Sequence, residues 1–83
     1  MSRVTNYEVV ENWSLGLSAE NHRGSFHTDG YRLYSYQLLI GDTCPDSGDK
    51  IIRDYTANGK WGYQSQTTSC HVGRARLRAD MID

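Results

Sequence analysis

Within seven consecutive positions, Ser65, Thr67, Thr68, Ser69, Cys70 and His71 bring together four hydroxyls, a thiol and an imidazole. Three chemistries use such a set: activation of a nucleophile by an imidazole, an anion cradle at a helix start, and plain helix capping. Catalysis fits worst. Cys70 and His71 are neighbours in sequence, and adjacent side chains on a helix diverge by about 100°, so His71 is badly placed to serve Cys70 as a base. No spacing singles out His22 or His27 for that task. The anion reading takes Thr67, Thr68, Ser69, His71 and Arg74 as ligand-binding residues, because free amides and a positive dipole end face outward at a helix start and Arg74 adds charge one turn on. The capping reading needs only Thr67 or Thr68, whose oxygen accepts from an amide two or three residues ahead.

Elsewhere the chain offers less chemistry. Cys44, Cys70, His22, His27 and His71 contain no Cys-x-x-Cys or His-x-x-x-His pair, so no metal is expected, and no cofactor. Asp42, Asp46 and Asp49 lack the spacing and terminal glutamate of a calcium loop. With Asp54 they form instead a candidate partner-binding surface, able to imitate nucleic-acid phosphates toward a basic host protein, with Tyr34 and Tyr36 as aromatic anchors. Six tyrosines and two tryptophans also suit a sheet face that stacks single-stranded bases through Tyr31, Tyr34, Tyr36 and Arg32, with Arg53 as a further edge charge. A formal net charge of -1 supplies little attraction for phosphates, which favours packing over base stacking.

The elements that must position these residues belong to one domain spanning 1–83, since a chain this short buries only about 60% of its unfolded surface and has room for one core. Trp13, Leu15, Leu17 and Ala19 alternate with small or polar residues and predict a strand. "ENHRG" turns the chain, and Ser25 to Thr28 is a short strand. Asp29-Gly30 predicts a tight hairpin turn into Tyr31 to Ile40, apolar on both faces and expected at the sheet centre. Ile51 to Tyr55 follows as a strand, and Asn58-Gly59 turns into Trp61-Gly62-Tyr63. Good helix formers predict a helix from Ser69 to Met81. Its wheel sets Val72, Ala75, Ala79 and Ile82 against the sheet, and leaves Cys70, Leu77 and Met81 as a second stripe for a homo-oligomer contact through this C-terminal helix, with His71, Arg74 and Arg78 as a basic ridge. The fold class expected is α+β: an antiparallel meander of four to five strands with one C-terminal helix packed on it. No run approaches the length of a membrane span or a signal peptide, so the expected setting is intracellular, with Cys44 and Cys70 as free thiols.

Two segments carry a resemblance. "GSFHTDGYRLYSYQLLIG", with Leu33 to Tyr36 as its Leu-Tyr-Ser-Tyr core, and "YQSQTTSCHVGRAR", with Ser65, Thr67, Thr68, Ser69 and His71 as a Ser-x-Thr-Thr-Ser-x-His signature, are similar to a family of small phage-encoded proteins of unknown function. In this chain Cys70 fills the variable position and Val72-Gly73 follows. The resemblance implies a phage or prophage origin and action in the host bacterial cytoplasm, and it brings no catalytic residues. It fits a non-catalytic inhibitor that binds a host protein or complex, a counter-defence protein acting on CRISPR or on nucleotide-signalling immunity. The alternatives are an oligomeric binder of a phosphorylated nucleotide at the C-terminal helix start, and a single-stranded nucleic-acid module.

Overall fold

The computed structural model describes residues 3–57 and 59–83. Its first helix, α1, spans Asn6–Ser14, where the sequence had predicted no helix and had begun a strand at Trp13. Thr5 caps it, accepting from the Glu8 amide at 3.2 Å, while its hydroxyl donates to the Glu8 carboxylate at 3.1 Å, so its oxygen satisfies one of the free amides of the first turn. Val9, Val10 and Trp13 are buried, one apolar stripe on a single face. At the other end Gly16 adopts φ +77. The amides of Gly16 and Leu17 return to the carbonyls of Trp13 at 3.2 Å and Asn12 at 2.8 Å, closing a Schellman motif. This closure is why the Trp13–Ala19 alternation is not a strand: Leu15 and Leu17 both stand in solvent.

A short strand β1, Arg3–Val4, precedes α1, and β2, Ala19–Asn21, follows it and pairs with β1 in parallel. β3 (Phe26–Thr28), β4 (Leu33–Ser35), β5 (Leu38–Thr43) and β6 (Lys50–Ile52) continue antiparallel from β2. The second helix, α2 (Gln66–Ala75), then leads to β7 (Met81–Ile82), which pairs with β6 in parallel. The sheet order is β1-β2-β3-β4-β5-β6-β7, so the fold is α+β with a mostly antiparallel sheet and a helical crossover at each end. Both crossovers leave strands of one direction and step the same way across the sheet, so a common handedness puts both helices on one face. α1 packs on β2, β3 and α2, and α2 packs on α1 and β4.

Several expectations are corrected here. The meander has more strands than four or five, and parallel pairs close its edges. Tyr31 to Ile40 is two strands, because Tyr36 takes φ 57 and turns the chain between Ser35 and its partner Leu38. The position is one normally given to glycine, so no residue type announced it. The β4–β5 register also slips by one beside Leu33, which leaves Ile40 and Gly41 buried in succession. Asp29-Gly30 does join two strands, but through a loop of four residues between Thr28 and Leu33, with Asp29 Oδ1 accepting from the amides of Tyr31 and Arg32 at 2.9 and 2.7 Å. Those amides, Arg32's first, hold the Asp29 carboxyl below its ordinary value. Trp61-Gly62-Tyr63 forms no strand, and Asn58 of the expected turn lies outside the described residues. The C-terminal helix starts three residues earlier than expected and ends at Ala75. Met81 and Ile82, assigned to its last turn, form the edge strand. Lys50 makes that strand possible: its amide donates to Asp80 Oδ2 at 2.8 Å, and its carbonyl accepts from the Asp80 amide at 2.7 Å.

The core comprises Val9, Val10, Trp13, Ala19, Phe26, Leu33, Ile40, Ile52, Tyr55, Val72 and Ala75. Trp13 also fastens the β3–β4 loop, donating from Nε1 to the Tyr31 carbonyl at 3.0 Å. Lys50 is buried beside it with Nζ on the Gly30 carbonyl at 3.0 Å and Thr43 Oγ1 at 2.8 Å, and burial pushes its pKa down. Gly30 sits at φ +98, and a Cβ there would lie 2.5 Å from the Gly16 carbonyl oxygen. Gly30→Ala therefore lowers unfolding free energy by about 3 kcal/mol, from backbone strain plus the clash. In α2, a Cβ on Gly73 meets nothing within 4 Å, and Gly73→Ala raises stability by about 0.5 to 1 kcal/mol. Urea unfolding of the two variants measures both.

Candidate functional site

Ser65 starts α2, correcting the expected caps Thr67 and Thr68. Its extended backbone and side-chain oxygen take the Thr68 amide at 3.1 Å. Thr68, His71, Val72 and Ala75 then face inward, a spacing of three and four that matches one helix face. His71 therefore belongs to the buried stripe and not to a basic ridge. It is only 2% exposed. Its ring stacks on Phe26 at 4.2 Å between centroids and 5° between planes.

A chain of hydroxyls orients that ring. Ser65 Oγ donates to Thr68 Oγ1 at 3.1 Å, Thr68 Oγ1 lies 3.0 Å from Ser35 Oγ, and Ser35 Oγ lies 2.7 Å from His71 Nδ1. Each hydroxyl has one hydrogen to give. With the Ser65 hydrogen on Thr68, the Thr68 hydrogen passes to Ser35 and the Ser35 hydrogen to Nδ1; this assignment uses each hydrogen once and puts the ring hydrogen on Nε2. Nε2 has no hydrogen-bond partner among the described residues. Burial, with the nearby Arg74 charge adding to it, pushes the His71 pKa down to about 4. At neutral pH the ring is an uncharged donor. The Leu33–Tyr36 segment and the Ser65–His71 segment are thus joined in space: Ser35 comes from one, and Ser65, Thr68 and His71 from the other.

Above this network lies an open cleft of about 320 Å³, bordered by Thr5 and Asn6 at the start of α1, by Asn21, His22, Arg23 and Ser25 at the β2–β3 turn, and by Tyr36, Thr67 and His71. Asn21 builds its floor, donating to Asn6 Oδ1 at 2.8 Å and Ser25 Oγ at 3.0 Å, and accepting from the Phe26 amide at 3.3 Å. Tyr36 is held in its left-handed conformation by two bonds to β3 and the turn before it: its amide donates to the Ser25 carbonyl at 2.7 Å, and its carbonyl meets His27 Nε2 at 2.9 Å. The Tyr36 ring stands 6.5 Å from that of His71.

The five residues grouped as an anion site part company. Thr67 and His71 border the cleft. Thr68 turns into the core, and Ser69 donates to the Tyr55 carbonyl at 3.3 Å. Arg74 lies elsewhere, beside a groove of about 350 Å³ between the helices that Tyr7, Val10, Leu77 and Arg78 also line. Asp42, Asp46 and Asp49 sit at or beside the β5–β6 hairpin tip, whereas Asp54 follows β6 at its opposite end, accepting from Thr56 at 2.6 Å. Tyr34 lies on the sheet face away from the helices, stacked on His27 at 5.0 Å. Arg53 stacks on Trp61 at 4.7 Å. Arg23, Asn6 and Ser35 were not singled out from the sequence. For Ser35 a signal existed in its place between two tyrosines of the resembling segment, and for Arg23 there was none. Cys44 and Cys70 are free thiols, and no group of three metal-ligating side chains occurs among the described residues. No protein-family model, curated protein or solved structure matches the chain.

Because the fold keeps His71 neutral with a pKa near 4 and the unfolded chain binds the proton near 6.5, its contribution to stability is complete above 6.5 and is lost as pH falls through 4. The loss amounts to at most about 3 kcal/mol. His71→Phe keeps the stack on Phe26 and removes this part of the pH dependence between 6.5 and 4, seen in melting temperatures. Ser35→Ala strands Thr68 and Nδ1 in the interior and lowers stability at pH 7 by about 2 to 3 kcal/mol, measured by urea unfolding.

Proposed function

We propose that the protein is a non-catalytic binding domain that occupies and inhibits a host macromolecule, as its resemblance to small phage-encoded proteins implies. One observation carries this reading: both helices lie on one face of the sheet, and no helix among the described residues packs on the other, whose side chains are mostly half-buried. Strand pairing places Glu20, His27, Tyr34 and Leu39 side by side across that face, and Asp42, Ile51 and Met81 in a second row. The covered positions that alternate with them, such as Ala19, Phe26, Leu33, Lys50 and Ile52, are buried.

The open face mixes an aromatic pair with aliphatic side chains and the carboxylates of Glu20 and Asp42. Such a composition suits a protein interface, where tyrosine anchors dominate the energy and charges set orientation. Two residues of the expected partner surface, Tyr34 and Asp42, lie here. Arg32 joins them: a hydrogen bond to Tyr34, with Asp42 also near, pushes its pKa up. A single-stranded nucleic acid is the second candidate for this face, on account of the Tyr34–His27 stack, but Glu20 and Asp42 repel its phosphates. No helix among the described residues is long and apolar enough to cross a membrane, and a protein in the host cytoplasm is the partner we favour.

The test is association in bacterial cells with cross-linking. An adduct of one defined host protein should form with the unaltered chain and with Leu77→Lys, which changes the helical side. Tyr34→Ala should weaken it about thirtyfold, and Ile51→Lys should abolish it. An adduct that survives Ile51→Lys but is lost with Leu77→Lys would move the interface to the helices and refute the open-face reading.

A further inference from the structure

The cleft above His71 belongs to neither the core nor the open sheet face, and its composition selects a ligand. Its border carries Arg23, His22 and His71 together with hydroxyls and amides from Thr5, Asn6, Ser25 and Thr67, and it has no aspartate or glutamate. Arg23 makes no ion pair among the described residues. His71 is 98% withdrawn from solvent, yet borders the cleft with a ring nitrogen that lacks a partner, and its hydroxyl chain leaves a hydrogen there. That nitrogen reaches the cleft and offers a free donor to whatever enters it. Tyr36 supplies a flat ring at the edge from a left-handed backbone, φ 57, kept by two hydrogen bonds. Strain of that kind, at a residue lining a cavity, points to use of the side chain.

We propose that this cleft binds a small phosphomonoester bearing a flat ring, a nucleoside monophosphate, with Arg23 and His71 Nε2–H on the phosphate and Tyr36 against the base. The volume suits a ligand of that size and is at the small end of ligand pockets. An uncharged donor beside one guanidinium holds a phosphate without demanding a proton from the protein at neutral pH. The site is a correction in place as well as in composition to a cradle made by the first turn of α2 alone: Thr68 and Ser69 orient the helix, and the start of α1 and the β2–β3 turn complete the walls.

Titration of the full isotope-labelled chain with AMP, with adenosine and with inorganic phosphate, followed by amide shifts in two-dimensional NMR, tests this. AMP should saturate shifts at Thr5, Asn6, Arg23, Tyr36 and Thr67, binding about tenfold or more tightly than either fragment. Arg23→Ala should weaken AMP and phosphate alike by about tenfold or more. Tyr36→Asn, which removes the ring and tolerates the left-handed backbone, should weaken AMP about tenfold and leave phosphate unchanged. Absence of saturable shifts up to about 10 mM ligand, AMP binding no tighter than phosphate, or binding indifferent to Arg23→Ala would each overturn the proposal.

Discussion

The packing of α2 on the sheet depends on one buried polar junction, where Ser35 on β4 meets Thr68 and His71 on α2. An apolar helix face could have settled on the sheet in more than one rotation or register. Two hydrogen bonds of fixed direction, from 2.7 to 3.0 Å, and the flat stack of His71 on Phe26 allow only one. Such junctions are favourable only when every member is satisfied, because an unpaired donor or acceptor in the interior is worth more in penalty than a made bond is in gain. Here Ser65 completes the set from outside, capping the helix and ending the hydroxyl chain with the same side chain.

That junction ties together the parts of the molecule that face its surroundings. It fixes the start of α2 beside the start of α1, and so shapes the cleft between them. It orients the His71 ring with one edge toward the cleft. It also holds α2 on the sheet face that α1 covers. Ser35, Ser65, Thr68 and His71 therefore build the domain, while the surfaces proposed for binding use Tyr34 and Tyr36 beside them in sequence and Arg23 and Ile51 from elsewhere.

Much of the sheet was legible in the sequence. The short strand within Ser25–Thr28 and the one from Ile51 follow from alternation and turn residues acting over a few positions, whereas of the turn expected at Glu20 to Gly24 only His22 to Gly24 turns, Glu20 and Asn21 being the end of β2. What was not legible rested on interactions outside that range. α1 was missed although Thr5-x-x-Glu8 before Val9, Val10 and Trp13 spells a capping box and an apolar stripe; the period-two pattern beyond Trp13 obscured it, and only Gly16 in its left-handed state separates the two. The hairpin at Tyr36 had no glycine or asparagine to mark it, since its strain is borne by bonds to Ser25 and His27. For the candidate site, the expected helix start set the side-chain directions wrongly. A helix beginning at Ser65 instead of near Ser69 turns Thr68 and His71 inward and sends Arg74 to a different groove.

The measurement that addresses the junction most directly is the protonation state of the His71 ring, read from long-range nitrogen–proton NMR correlations as pH is varied. With the hydroxyl hydrogens ordered from Ser65 toward Nδ1 and the ring buried against Phe26, a neutral ring with its hydrogen on Nε2 at pH 7 and a titration midpoint near 4 is the expected result. A midpoint near the ordinary 6.5 would contradict the burial of this ring in the junction, and a ring hydrogen on Nδ1 would contradict the hydroxyl order that leaves a donor facing the cleft.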